Sequence, residues 1–255
     1  MRHDVTVRQA IPGSSVSEED RIGTILARLE AVYGVPDWTP RQDPLNELVA
    51  CILSQNTSDT NSFRAFEHLK RRFPTMQQVM DAPVSVLADT IRSGGLADTK
   101  APRIQNVLRS LLEERGLLSL DFLHEMNDAD ARAWLRSLPG VGPKTAGIVL
   151  CFAMGRPVLP VDTHVFRVAW RLGLIEKRIG EDKAHDALQA QILPEQTFRF
   201  HVALITHGRQ VCKAITPLCA QCPLTDLCPT YPRLQAAARE RQEMETPFAE
   251  PPVEI

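Results

Sequence analysis

The sequence predicts an all-α protein. Apolar residues recur at spacings of three and four along most of the chain, which is the period of an amphipathic helix, whereas strand-like alternation is scarce. Each apolar stripe is short and ends at glycine, proline or a polar turn. With 255 residues, the chain is long enough to bury a sizeable core in one large or two small domains. We therefore expect many short helices.

The helical stripes can be followed in order from residue 21, where RIGTILARLEAVYG begins. In the next stripe, DPLNELVACILSQ, Leu45, Leu48 and Ile52 fall on one face. Asp43 is a suitable N-cap there, and Pro44 occupies the first helical position. Four further stripes follow along the chain: SFRAFEHLKRRF, PVSVLADTI, APRIQNVLRSLLEERG and DADARAWLRSL.

The two ends of the chain have a different composition. Residues 1–20 and 234–255 are charged and proline-containing without an apolar face, and they are predicted to be flexible, although residues 234–243 could extend as a helix. The chain's formal net charge is −2, but residues 21–233 carry 25 basic and 22 acidic side chains. This mildly basic middle part permits DNA binding. Because the sequence has neither an apolar membrane span nor a secretory signal, we expect a cytoplasmic protein.

Six cysteines divide into two groups. Cys51 and Cys151 lie within apolar helical patterns, where buried free thiols are expected. The other four follow the spacing C-x6-C-x2-C-x5-C, and thiolates this close in sequence can close around one metal centre. Zinc and disulfides are the alternatives, but a single C-x2-C pair with unequal arms favours an iron–sulfur cluster over a zinc ribbon. The four are Cys212, Cys219, Cys222 and Cys228.

The segment LPGVGPKTAG, residues 138–147, predicts a tight glycine hairpin between two helices. Its glycines are too close together for a nucleotide-binding P-loop. Backbone amides near Gly140, Val141 and Gly142 can instead bind a DNA phosphate at the positive end of the following helix. Lys144 lies in the first turn of that helix, which disfavours a second cation and so favours a neutral, nucleophilic amine. A simple phosphate contact by Lys144 is the alternative.

A second candidate group lies in LPVDTHVFRVAWRLGL, eighteen residues after Lys144. Asp162 precedes an apolar helix, so it is a suitable N-cap. A carboxylate near an amine and a sugar can also take up a proton and stabilise a developing cation. The two roles are compatible.

Taken together, these motifs resemble the helix-hairpin-helix DNA glycosylases, and most closely the endonuclease III family. The hairpin lysine, the aspartate of VDTHVFRV, the segment HGRQVC and the four-cysteine run occur in the family's order and spacing, over about residues 24–232. The resemblance implies two α-helical domains with a DNA-binding cleft between them. Residues 37–156 would form a six-helix domain with the helix-hairpin-helix at about 128–154. Residues 21–36 and 157–233 would form the cluster domain.

The resemblance also implies a function and a set of site residues. The protein would be a bifunctional glycosylase and AP lyase that removes oxidised pyrimidines from double-stranded DNA and cuts abasic sites by β-elimination. Lys144 would form the Schiff base, Asp162 would assist it, and the four cysteines would ligate a structural [4Fe-4S] cluster. We expect a monomer. The implied DNA contacts are Gln55, Asn56, Gly140, Val141, Gly142, Thr145, His164 and Lys213, with either Gln55 or Asn56 filling the gap left by the flipped base.

Three rival functions share parts of this pattern. An adenine mismatch glycosylase would have a catalytic glutamate where this sequence has Cys51, and it generally lacks the hairpin lysine. An oxidised-purine glycosylase has the lysine but usually lacks the cluster. A non-catalytic DNA-binding iron–sulfur protein would bind DNA without forming an imine.

Overall fold

The computed structural model describes residues 18–245 of the chain, and this part contains twelve α-helices and no strand. The prediction of an all-α fold is confirmed. The helices, in chain order, are α1 Glu18–Tyr33, α2 Pro44–Ser54, α3 Asp59–Arg72, α4 Met76–Asp81, α5 Val84–Thr90, α6 Ala97–Arg115, α7 Asp128–Ser137, α8 Pro143–Ile148, α9 Thr163–Arg171, α10 Gly180–Gln189, α11 Thr197–Gln210 and α12 Tyr231–Glu245.

Two separate hydrophobic cores organise these helices. The first contains buried side chains from Leu45 to Val158, contributed by α2–α8 and by the segments between and after them. The second combines Ile22, Ile25, Leu26 and Leu29 of α1 with side chains between Leu159 and Leu224. Because the chain passes from one core to the other at residues 158–159, we propose that the two cores belong to two domains.

Residues 37–156 contain seven α-helices, one of which the apolar stripes did not indicate. This helix, α4, has only six residues and begins at a capping box, in which the Thr75 hydroxyl accepts from the Gln78 N–H and the Gln78 side chain accepts from the Thr75 N–H. Its start is therefore fixed by local hydrogen bonds rather than by a long apolar face.

The described chain ends follow the prediction in part. Residues 18–20 belong to α1 and not to a flexible end, whereas α12, residues 231–245, agrees with the helical extension that the sequence allowed at residues 234–243. Leu234 and Tyr231 of α12 line the same pocket as the four clustered cysteines, and this packing gives the helix a reason to form. Residues 1–17 and 246–255 lie outside the described part of the chain.

None of the helices between residues 18 and 245 has the length and apolar character needed to cross a membrane.

Candidate active site

The predicted hairpin forms between α7 and α8. Gly140 has a φ of +78°, a conformation that favours glycine, and the Val141 N–H closes the turn by donating to the Leu138 carbonyl at 3.2 Å. The N–H groups of Gly140 and Gly142 make no hydrogen bond to any residue between 18 and 245. Two of the three predicted phosphate donors are therefore available, whereas the Val141 amide is used by the turn.

Lys144 lies in the first turn of α8, directly after Pro143. Its side chain is exposed, and its Nζ makes no hydrogen bond or ion pair within the described residues. The neighbouring Thr145 is 7% exposed, so its side chain faces the interior and only its backbone N–H can contact DNA. The hairpin thus presents one free amine beside unused backbone donors.

Asp162 is 6% exposed and caps α9, as predicted. Its Oδ1 accepts from the N–H groups of His164 at 2.9 Å and Val165 at 2.8 Å. Its Oδ2 has no hydrogen-bond partner in the described chain. One oxygen therefore holds the backbone while the other is available for chemistry.

Three hydrogen bonds fix the extended segment that leads to Asp162. The Leu159 N–H donates to Gln189 Oε1 at 2.6 Å, and the Val161 N–H donates to His185 Nε2 at 3.0 Å. Between them, His201 Nδ1 donates to the Pro160 carbonyl at 2.8 Å. The bond from Val161 requires a neutral His185 with its proton on Nδ1, which lies 3.0 Å from the Glu181 carbonyl, and the bond to Pro160 places a proton on His201 Nδ1.

Gly147 allows this segment to approach α8. A Cβ atom at residue 147 would lie 3.0 Å from Pro160 Cα and 3.2 Å from Pro160 N. Gly147 is three residues after Lys144, on the same side of the helix. The absent side chain therefore lets the backbone before Asp162 pack against the face of α8 that carries Lys144.

The charges of Lys144 and Asp162 both shift the pKa of the buried His201. Burial lowers the pKa of His201 to about 4, the Pro160 hydrogen bond and Asp162 oppose that shift, and Lys144 and Arg41 add to it. Burial raises the pKa of the Cys51 thiol of α2, and the charge of Lys144 opposes this shift. The structure therefore brings α2, α8 and the residues around Asp162 into one neighbourhood, and its electrostatics favour a neutral His201.

Gln55 and Asn56 follow α2 directly, and their side chains differ in their contacts. Gln55 Nε2 donates to the Gly140 carbonyl at 3.2 Å, and Gln55 Oε1 accepts from Arg103 Nη1 at 2.7 Å. Asn56 is exposed and left-handed, with a φ of +53°, and its side chain makes no hydrogen bond within residues 18–245. Residues 55–57 are called the wedge loop below.

A second exposed, left-handed residue lies near the wedge loop. Leu96 has a φ of +50° and is 56% exposed, and a Cβ on the adjacent Gly95 would lie 4.0 Å from Thr57 Oγ1. The buried Lys100 ties the two loops together, since its Nζ donates to the carbonyls of Leu53 at 2.6 Å and Gly94 at 2.8 Å. An apolar side chain in a strained conformation at the surface is a feature of functional sites.

The four clustered cysteines line one pocket beside the second core. Arg171 Nη1 donates to Cys212 Sγ at 3.3 Å, and His207 Nε2 lies 3.5 Å from Cys222 Sγ, so one sulfur faces a guanidinium and another an imidazole nitrogen. Burial raises the pKa of the Cys222 thiol to about 11, the Leu224 N–H opposes this, and the other cysteines add to it. Thiolates that burial and mutual repulsion disfavour need a cationic partner, and this donor set suits an iron–sulfur cluster.

The remaining predicted contacts are distributed around these groups. His164 is half-buried, its Nδ1 lies 3.0 Å from Arg167 Nη2, and burial is the main cause of its lowered pKa. Lys213 is exposed in the loop of residues 212–228 that carries the four clustered cysteines, called the cysteine loop, and its carbonyl accepts from Arg171 Nη1 at 2.7 Å. The cysteines outside the cluster, Cys51 and Cys151, are buried free thiols, as predicted.

Several residues of this neighbourhood were missed in the sequence. Arg41 lies over the Phe152 ring at 4.6 Å and pairs with the buried Glu47 at 2.8 Å, while His201, Lys100 and Leu96 act as described above. Arg41, His201 and Lys100 are defined by contacts with residues far apart in the chain, and Leu96 by its backbone conformation and exposure. The adjacent glycines before Leu96 were the only local signal.

Comparisons with known proteins agree with this geometry. The protein-family model described as HhH-GPD superfamily base excision DNA repair protein matches residues 49–194. The family model described as iron–sulfur binding domain of endonuclease III matches residues 212–228. Endonuclease III of Thermotoga maritima is 37% identical over 209 residues, which cover 82% of this chain and 92% of that protein. A putative DNA glycosylase of Arabidopsis thaliana is 40% identical over 67% of this chain, which spans 58% of the plant protein.

Solved structures lead to the same family. A non-covalent endonuclease III–DNA complex superimposes with a TM-score of 0.73 at 30% identity, over 86% of this chain and 98% of that one. A trapped endonuclease III–DNA covalent intermediate gives a TM-score of 0.72 at 29% identity, over 85% of this chain and 98% of that one.

The predicted family, DNA-binding activity and cofactor are confirmed. The chain belongs to the HhH-GPD superfamily of base excision DNA repair proteins, and it is a DNA glycosylase of the endonuclease III type with a [4Fe-4S] cluster.

Proposed function

We propose that the protein is a bifunctional glycosylase and AP lyase in which Lys144 is the nucleophile and Asp162 its acid–base partner. The observation that carries the proposal is the pair of free groups at the hairpin: an exposed lysine amine without a partner among the described residues, and a buried aspartate whose Oδ2 is likewise unpaired. A simple phosphate clamp would use the lysine but would leave the unpaired oxygen of Asp162 without a role.

The reaction follows from these two groups. After the damaged nucleotide is flipped out of the duplex, the Lys144 Nζ lone pair attacks C1′, and the C1′–N bond breaks with its electron pair leaving on the base. Asp162 Oδ2 takes the proton from the amine and stabilises positive charge on the sugar. Asp162 returns the proton to O4′, so that the sugar ring opens to a protonated imine; water takes a C2′ proton, and the C3′–O bond breaks with its electron pair leaving on the phosphate. The strand is cut on the 3′ side of the abasic site.

The DNA would be held by groups that leave Lys144 free. The N–H donors of Gly140 and Gly142 suit one backbone phosphate. Asn56 is the better candidate to fill the gap left by the flipped base, because its exposed amide is free while that of Gln55 is bound within the protein. Leu96 is a suitable apolar wedge beside it.

Cys212, Cys219, Cys222 and Cys228 would ligate the cluster, with Arg171 and His207 as hydrogen-bond donors to sulfur. When bound, the cluster supplies a structural centre for the cysteine loop. That loop also carries Lys213, so ordering it would place Lys213 for a DNA contact.

Oxidised pyrimidines are the proposed lesions, supported by the relatives named endonuclease III. A monomer is proposed as the active form, since the hairpin, Asp162, wedge loop and cysteine pocket all belong to one chain. Light scattering of the free protein and of its DNA complex would report the mass directly.

Borohydride trapping tests the mechanism. Reduction during reaction with abasic-site DNA should give wild-type protein covalently joined to DNA, and the same should hold for duplexes with oxidised pyrimidines but not for undamaged duplex. Lys144→Ala should give no adduct, because it removes the amine. Asp162→Asn should reduce adduct formation by a factor of about 100 or more on base-containing substrates, because it removes the proton acceptor but can keep the cap.

The matched control is Lys183→Ala, which removes an exposed lysine in α10. It should give as much adduct as wild type. An equal yield from Lys144→Ala would exclude Lys144 as the nucleophile, and trapping only on oxidised purines would exclude the proposed lesion class.

A further inference from the structure

A side-chain bridge connects the wedge loop, the hairpin and α6. Arg103 Nη1 of α6 donates to Gln55 Oε1 at 2.7 Å, and Gln55 Nε2 donates to the Gly140 carbonyl at 3.2 Å. Both ends of the Gln55 amide are therefore used. The bridge spans 48 residues on one side and 85 on the other, so it is formed only in the folded protein.

Gly140 shapes the bridge as well as the hairpin. A Cβ at residue 140 would lie 2.5 Å from Arg103 Cδ and 2.6 Å from Arg103 Nε. The arginine side chain thus passes directly over the glycine, where any other residue would displace it. The φ of +78° at Gly140 adds a second reason for glycine at this position.

Asn56, directly after the bridging Gln55, has an unusual backbone conformation. Asn56 follows Gln55 immediately and has a φ of +53°, which is uncommon for a residue other than glycine. Such a conformation persists when its surroundings fix it, and here the two side-chain bonds of Gln55 fix the preceding residue. The carbonyl of Gly140 belongs to the hairpin proposed to hold a phosphate.

We propose that Arg103 is a positioning residue, which acts through Gln55 to hold the wedge loop against the hairpin at a fixed separation. A phosphate bound at the hairpin then sets where Asn56 enters the duplex, so that one docking event aligns both. This inference rests on the proposed function, because it assigns Asn56 to the gap left by the flipped base. Because the wedge loop is already ordered in the free protein, DNA binding does not carry the entropic cost of ordering it.

Two DNA duplexes distinguish this positioning role from a general contribution of Arg103 to DNA binding or cleavage. Both contain the same abasic site. In one, the site lies opposite adenine, so an orphaned base remains for the wedge loop to contact. In the other, it lies opposite a tetrahydrofuran residue, so the partner strand has no base there. The hairpin's phosphate is present in both.

Single-turnover cleavage should fall about tenfold for Arg103→Ala and for Gln55→Ala on the duplex with adenine. On the duplex lacking the orphaned base, both variants should stay within about twofold of wild type. The double variant should be no slower than the slower single variant, because the two residues act through one bridge. The salt dependence of DNA binding should not change.

Arg109→Ala is the matched control, since it removes an exposed arginine from the same helix. It should match wild type on both duplexes. The proposal would be overturned by equal losses of cleavage rate on the two duplexes or by additive effects in the double variant. It would also be overturned if the slope of the log binding constant against log salt concentration fell by about one, because Arg103 would then be a phosphate contact. If wild type cuts neither duplex, the proposed function itself is wrong, which is a different result.

Discussion

Gly147 and Asp162 are connected through the short extended segment at residues 159–161. The absent side chain at Gly147 lets Pro160 pack against α8, and Asp162 follows two residues later. The position of the catalytic carboxylate proposed here thus depends on a residue without functional groups.

Gly147→Ala should therefore affect activity more than folding. A Cβ only 3.0 Å from Pro160 Cα must push that segment away by a few tenths of an ångström, and we expect kcat to fall about tenfold. The stability should change little, because the higher helix propensity of alanine, worth about 1 kcal/mol, offsets the crowding. Single-turnover cleavage and urea denaturation measure the two effects.

Gly23→Ala in α1 is the control, since nothing lies within 4 Å of a Cβ there. It should stabilise the protein by about 0.5–1 kcal/mol without changing kcat. Unchanged cleavage by Gly147→Ala would show that the close approach to Pro160 has no catalytic consequence.

At the scale of elements, α11 holds the segment before Asp162 through a neutral histidine. The folded protein keeps the His201 pKa near 4, mainly by burial, with Asp162 opposing and Lys144 and Arg41 adding. The pKa of a histidine in the unfolded chain is about 6.5. As the pH falls from about 6.5 to about 4, the unfolded chain takes up a proton that the folded chain does not, so acidification lowers the free energy of unfolding.

His201→Asn should reduce this acid sensitivity. Asparagine keeps an N–H donor for the Pro160 carbonyl but does not titrate, and the slope of unfolding free energy against pH should decrease by about 1.4 kcal/mol per pH unit between pH 4.5 and 6. Urea denaturation at several pH values provides the measurement. Identical slopes for the two proteins would mean that His201 is not held neutral by the fold.

The helices themselves were largely predictable, for local reasons. Asp43 and Pro44 mark the start of α2, and the glycine hairpin before Lys144 is visible in the sequence. The helix α4 was missed because its capping box is a pair of local side-chain bonds on a six-residue element. The helix α12 was predicted only in part, because Leu234 gains its packing partners from the distant cysteine pocket.

The candidate site was predictable where chemistry and spacing coincide, as at Lys144, Asp162 and the four cysteines, whose roles stay predictions. The supporting residues were not. Arg103, Lys100 and His201 contact residues 6 to 48 positions away along the chain, and no local pattern specifies which carbonyl or amide they meet.

At the scale of the whole molecule, the cysteine loop packs on only one of the two cores. Cys212, Cys222 and Cys228 contact the second core, and Leu224 is buried within it, whereas among the described residues the first core has no cysteine-loop member. Loss of the cluster should therefore loosen the two halves unequally.

Oxidative removal of the iron followed by hydrogen exchange should reveal this difference. We expect amide protection to fall in α9–α12 and in α1, while α2–α7 keep most of theirs, because only the second core loses the loop that covers it. Protein with intact cluster, measured in parallel, is the reference. A uniform loss of protection would show that the two cores unfold as one unit.

The composition of the second core has a consequence for synthesis on the ribosome. Its first contributor, α1, is translated before any of the first core, yet Ile22, Ile25 and Leu29 pack with side chains that begin at Leu159. The first core can close once Val158 has emerged, while the apolar face of α1 has no packing partner until residues 159–224 have been synthesised. During translation, this helix is therefore the surface that chaperones would have to protect from aggregation.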